Sequence, residues 1–375
     1  MVPEKSEKTL SKTPKPRSLL AEFLLVFKVL FVILSALFGA LVFFVPAQLS
    51  FYPAAFFPLA IGLSFLLQNR SRKIALCSLL LLGGLILQRW HQRSEAINQL
   101  HQAEIFTLPG GGASWSANWM VPEEDGIFLA AKFLHLLQGI TSREYDELPA
   151  ALLQTYQRFR STHGDVPTPL VATTLGIEHL NYTDTLLLKA ASANTSKSKK
   201  AVIFLHGFGG NWTLLCFLVS EAGREAGYDT LCPSVGFAGM WGSGSGVERL
   251  RLTVEEAKRR DYQELVLIGL SNGAVGASIL AAAEKLEGRD SFKALGLLFG
   301  AHPDTESLTI PTLYIYGSKD ERFPPNWLRS FAENHQKKAG PELVKIHSLP
   351  VDHFALIKED SQVKALLQDW LVSLN

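Results

Sequence analysis

Cysteine is scarce in this chain: Cys77, Cys216 and Cys232 are the only three in 375 residues, too few for a disulfide framework. Cys77 falls within an apolar run. Cys216 and Cys232 read as small buried hydrophobes, with a bridge between them as the alternative. Net charge is nearly absent as well, 36 Lys and Arg standing against 35 Asp and Glu. That balance offers no electrostatic hold on nucleic acid or on any strongly charged partner. Internal repeats are missing, which excludes a solenoid or propeller. Gly242–Gly246, a Gly-Ser-Gly-Ser-Gly run, lacks the lysine that a phosphate loop carries after its last glycine. It reads as a mobile loop.

Long apolar runs are plentiful, and they crowd the first quarter of the chain. Residues 1–17 form a polar tail with Lys5, Lys8, Lys12, Lys15 and Arg17, expected to be disordered. Residues 18–93 then hold three runs, near 29–45, 51–67 and 74–88, with almost no internal charge. The first is too long for a cleaved signal core, so the runs read as retained transmembrane helices. The third rises only about 22 Å, and Lys73 and Arg89 can snorkel to extend it. Positive residues in the tail and at Arg70, Arg72 and Lys73 put both segments in the cytoplasm. Three crossings would leave the remainder extracytoplasmic. The expectation is a multi-pass integral membrane protein.

Residues 94–165 read as a connecting region. Gly110–Gly112, Trp115 and Trp119 suit a loop near the membrane interface. Helices are expected at Gly126–Ile140 and Ser142–Phe159, the second broken near Leu148 by Pro149. From residue 166 to 375 short strands alternate with helices, which predicts a mostly parallel sheet covered on both faces, an α/β fold. The earliest expected strands are Leu170–Leu175 and Thr185–Ala190. Ligand chemistry in such sheets gathers at the carboxyl ends of the strands.

One of those ends carries Gly269-Leu270-Ser271-Asn272-Gly273, placed between the apolar strand Leu265–Leu270 and a helix rich in small residues. A serine on such a sharp turn is exposed as a nucleophile. It requires a base and an orienting acid. Asp320 follows the strand Thr312–Tyr316, with Asp304 and Glu321 as its rivals. His353 follows the strand Leu343–Leu349, with His302 and His347 as rivals. His206-Gly207-Phe208-Gly209-Gly210 ends the strand Ala201–Leu205 and offers backbone N–H groups to an oxyanion.

With these elements in this order, residues 166–375 resemble the α/β-hydrolase superfamily. The resemblance implies Ser271 as nucleophile, His353 as general base and acid, and Asp320 as the residue that orients the imidazole. It implies an oxyanion hole from the backbone N–H groups of Phe208 and Asn272, and a structural role for His206. Many relatives insert a cap after the strand that follows the nucleophile helix. Only Gly300–Pro311 lies there in this chain, so the site is expected to be uncapped. Trp241 and His302 are candidates for lining a substrate pocket. The expected activity is hydrolysis of carboxylic esters, of small molecules or lipids, without metal or organic cofactor. Amide or peptide cleavage by the same triad and a catalytically silent binding protein are the alternatives.

Overall fold

Successive side chains of a strand face opposite ways, and in the central strands of this chain both sets are apolar. The computed structural model describes residues 103–108, 123–164, 166, 184–190, 199–210, 213–236 and 238–375. Their strands are β1 (Ala103–Thr107), β2 (Asp184–Leu188), β3 (Lys200–Leu205), β4 (Asp229–Cys232), β5 (Glu264–Leu270), β6 (Ala294–Leu298), β7 (Thr312–Gly317) and β8 (Val344–Leu349). Their helices are α1 (Glu123–Leu136), α2 (Ser142–His163), α3 (Thr213–Glu225), α4 (Gly244–Arg259), α5 (Asn272–Leu286), α6 (Pro325–Ala339), α7 (Ala355–Lys358) and α8 (Asp360–Ser373). One sheet holds all eight strands, in the order β1-β2-β4-β3-β5-β6-β7-β8. Strands β3 to β8 run parallel to one another, while β2 runs antiparallel to both β4 and the edge strand β1. The expected mostly parallel α/β sheet is what forms.

The alternation sorts the apolar side chains into two cores. Val202, Phe204, Val266, Ile268, Leu313 and Ile315 meet α1, α2, α3 and α8 on one face. Ala201, Ile203, Leu205, Leu265, Leu267 and Tyr314 meet α4, α5 and α6 on the other. Each fully buried Val, Leu or Ile contributes roughly 1.5–3 kcal/mol. The two layers therefore fix the strand register, and with it the positions of the strand ends.

The segment assigned to a connection supplies part of this fold. Strand β1 pairs with β2 from Ala103↔Leu188 to Thr107↔Asp184, so the sheet begins well before residue 166. Helices α1 and α2 bury Ile127, Leu148, Leu152 and Phe159 in the first core. Pro149 does not break α2, which runs unbroken through it. An interior proline costs about 3 kcal/mol, less than burial of Leu148, Leu152, Tyr156 and Phe159 along one stripe returns. The helix is also started firmly, by a reciprocal capping box between Thr141 and Glu144.

Cys216 and Cys232 are fully buried, as expected of small hydrophobes, but they are also bonded to each other. The first turn of α3 packs on β4 and brings their Cα atoms to 6.0 Å, within reach of a disulfide. The helical stretch that closes the chain is divided into α7 and α8, separated at Glu359. The tail at 1–17, the three spans near 29–45, 51–67 and 74–88, the Gly110–Trp119 loop and the Leu170–Leu175 strand lie outside the described residues. Among the described residues no helix is long and apolar enough to cross a membrane.

Candidate active site

The turn after β5 is tighter than any side chain larger than hydrogen would allow. A Cβ on Gly273 would lie 2.0 Å from the Leu205 carbonyl oxygen, and one on Gly269 would lie 2.2 Å from that of Gly273. The two glycines let β5, β3 and α5 converge, and Ser271 is left at φ 55°, ψ −121°. Such a backbone costs about 1–3 kcal/mol and persists only where its surroundings overdetermine it. Here the Ser271 N–H donates to the Leu298 carbonyl (2.9 Å) at the end of β6. Its own carbonyl accepts from the N–H groups of Ala274 (2.9 Å) and Val275 (3.1 Å). The side chain stands at the N-terminus of α5, where the helix favours negative charge.

Asp320 lies just past β7, and its carboxylate is fully shielded from solvent. Oδ1 accepts from the backbone N–H groups of Arg322 (2.8 Å) and Phe323 (3.0 Å). Oδ2 faces His353 Nδ1 at 2.8 Å. On the far side of the ring, Nε2 lies 3.0 Å from Ser271 Oγ. An ionised carboxylate can only accept, so Nδ1 carries the proton and the serine hydroxyl donates to Nε2. Phe323 stacks on the imidazole at 5.9 Å, and Phe299 meets it edge-on at 6.4 Å. The ring has little freedom to turn.

The end of β3 closes the site from above. A Cβ on Gly207 would lie 3.6 Å from Ser271 Oγ, so the turn carrying Phe208 passes directly over the nucleophile position. Asn272 adjoins it as the first residue of α5, its side-chain Nδ2 donating to the Ala238 carbonyl (2.8 Å). His206 is fully buried beneath this turn. Its Nε2 accepts from the Val235 N–H (3.1 Å) and its Nδ1 donates to the Gly207 carbonyl (2.8 Å). Burial lowers its pKa to about 4, so the ring stays neutral and serves as a strut.

The structure brings Ser271, His353 and Asp320 into one hydrogen-bonded chain, with Phe208 and Asn272 beside the serine. Trp241 and His302 do not join them. Trp241 is fully buried rather than lining a pocket, because its indole donates to the His206 carbonyl (2.9 Å) and packs against Gly276. His302 instead caps the start of the short Pro303–Ser307 turn, its Nδ1 accepting from the Asp304 N–H (3.4 Å). That turn is all the segment between β6 and β7 contains, so no cap is inserted there. Among the rival acids, Asp304 lies beside His302, its Oδ1 3.3 Å from Nδ1.

Residues that sequence reasoning passed over also shape the site. Phe299 adopts φ 51° at the end of β6, a strained turn that delivers its ring to His353. Glu123, from α1, is buried at the start of α3, where its carboxylate accepts from the N–H groups of Thr213 (2.9 Å) and Leu214 (3.1 Å) and from the Tyr156 hydroxyl (2.8 Å). Its only sequence signal is an acid in a polar stretch, which points nowhere in particular. Phe208 and Trp327 are half exposed, and Trp327 stacks on Phe323 at 6.3 Å. An apolar approach thus leads to the imidazole.

Several solved structures are similar to this chain. Est1E from Butyrivibrio proteoclasticus matches at 19% identity over 51% of this chain and 93% of its own, with a TM-score of 0.42. An esterase of Pyrococcus furiosus matches at 16% over 50% and 84%, with a TM-score of 0.41. A fungal esterase from Rhizomucor miehei matches at 13% over 51% and 78%, with a TM-score of 0.43. No family model and no curated protein sequence matches the chain.

Proposed function

We propose that this protein is a serine hydrolase of the α/β-hydrolase type that cleaves carboxylic esters through an acyl-enzyme. The hydrogen-bonded chain from Ser271 through His353 to Asp320 carries this reading. Ser271 Oγ attacks the ester carbonyl as its proton passes to His353 Nε2. The imidazolium then forms beside the Asp320 carboxylate, which keeps the ring oriented. Negative charge gathers on the carbonyl oxygen, where the backbone N–H groups of Asn272 and Phe208 meet it. Each such donor is worth about 10²–10³ in rate. Collapse expels the alkoxide, which takes the proton from Nε2. A water then repeats the sequence, giving its proton to His353 and releasing the acid and free Ser271.

The half-exposed Phe208 and Trp327 favour an apolar acyl group, and an uncapped site in a membrane-anchored protein favours a lipid-derived ester. Rapid mixing with p-nitrophenyl esters tests the chemistry: a burst of one nitrophenolate per site, then slower turnover, is the mark of an acyl-enzyme. Turnover confined to short water-soluble esters would remove the lipid reading and leave the hydrolase.

The anchor is the set of apolar runs near 29–45, 51–67 and 74–88, and it places the hydrolase on the extracytoplasmic side. The Cys216–Cys232 bond supports that side, because cytosolic thiols are kept reduced. Labelling intact and permeabilised cells with an impermeant serine-hydrolase probe tests it. Labelling only after permeabilisation would put the site in the cytoplasm.

A further inference from the structure

Acid and base arrive on loops from different strands, and two cations tie both loops to a single helix end. Arg322 lies two residues beyond Asp320, and its backbone N–H holds Asp320 Oδ1. Its guanidinium donates to the Gly139 carbonyl (2.8 Å), lies 3.5 Å from Glu144 Oε1, and covers the Phe354 ring at 5.1 Å. Phe354 is the residue after His353. Lys358, in α7, is almost wholly buried. Its ammonium reaches Asp352 Oδ2 (2.7 Å), Glu147 Oε2 (3.6 Å) and the Arg143 carbonyl (3.5 Å). Asp352 is the residue before His353, and its Oδ1 accepts the Phe354 N–H (2.9 Å).

Both cations end on residues 139–147, at the start of α2. That turn is itself rigid, since Glu144 closes the capping box with Thr141 while its other oxygen faces Arg322. We infer that Arg322 and Lys358 are positioning residues, and that the start of α2 sets the register between Asp320 and His353. The inference rests on the hydrolase reading for its catalytic meaning. Backbone bonds from the Ser318 N–H to the Leu349 carbonyl (2.7 Å) and from the Lys319 N–H to the Val351 carbonyl (3.0 Å) join the two loops at their roots, and the two cations hold the stretches beyond, where Asp320 and His353 lie. Displacing one catalytic group by about 1 Å can cost on the order of 10²-fold in rate. A fixed outside reference keeps both loops together.

The test compares Arg322→Met and Lys358→Met with Arg158→Met. Arg158 also ties α2 to the body of the fold, through Glu221 (3.2 Å) on α3, but away from the two loops. With a short water-soluble ester, R322M and K358M are expected to lower kcat about 10- to 100-fold with KM changed less than about twofold. R322K should recover part of that loss, and R158M should leave kcat within about twofold of the parent. In the same proteins, amide exchange at 318–324 and 350–356 should quicken in R322M and K358M alone. That exchange readout needs no turnover, so it stands even if the parent proves inactive and the hydrolase reading fails. Unchanged exchange in both loops, or a loss of kcat in R158M as large as in R322M, would overturn the inference.

Discussion

The faces of the sheet and its carboxyl edge follow opposite rules. On the faces, every second residue of β3, β5 and β7 is apolar and buried in relaxed backbone, and the two cores they form contain no catalytic candidate. At the edge, within a few residues of β5, β6 and β7, Ser271 and Phe299 adopt positive φ, and Asp320 is a carboxylate shut away from water. Departures of this kind cost stability and survive only where surrounding structure compels them. The difference teaches that the faces supply the rigidity which the edge consumes. Changes at the edge should therefore cost rate, and changes on the faces should cost stability.

The sharpest contrast is expected at Ser271. Ser271→Ala should lower kcat by on the order of 10⁶-fold, with thermal stability retained. Asp320→Asn comes next, at about 10⁴-fold in kcat, because the amide favours the wrong tautomer of His353. On a face, Leu267→Ala should cost about 2–5 kcal/mol in urea unfolding, while kcat per folded molecule stays near the parent value. A large loss of rate in that variant, at full stability, would break the comparison.

The bond between Cys216 and Cys232 belongs with the faces. Reducing it should lower stability by about 3 kcal/mol, given the separation of 16 residues, and spare kcat below the new melting point. The smallest expected effect is a pH dependence. His206 and His163 are buried and neutral, their pKa values lowered from 6.5 to about 4. The unfolded chain takes up protons below 6.5 that the native fold refuses, so stability is full above 6.5 and falls as pH drops toward 4. For His206 the loss at pH 5 is about 2 kcal/mol. Urea titrations at pH 7 and pH 5 measure it, and equal stability at both would remove the buried neutral strut.

Much of this contrast is legible in the chain itself. Unbroken apolar runs such as Leu265–Ile268 announce strands covered on both sides, and Gly269-Leu270-Ser271-Asn272-Gly273 marks the strained turn by composition. Asp320 and His353 are found by their places after strands. What stays hidden depends on distances between remote segments. Arg322 and Gly139 stand 183 positions apart, and no pattern in either stretch points to the other. The spacing of Cys216 and Cys232 says nothing about the 6.0 Å between their Cα atoms. Strand β1 escapes notice because five residues, Ala103–Thr107, carry too short a period to separate from a loop. Pro149 misleads for a different reason: local propensity there is overruled by a buried stripe along α2. Trp241 misleads because a tryptophan on a glycine-rich loop looks available until its indole is found beneath His206.

The central claim is that Ser271 is a nucleophile activated by His353 and Asp320, and intact-mass analysis after treatment with a fluorophosphonate tests it most directly. The folded parent should gain one adduct, mapped to Ser271, D320N should gain it far more slowly, and S271A should gain none. A folded parent that takes up no adduct, or an S271A variant that labels as fast as the parent, would contradict the account.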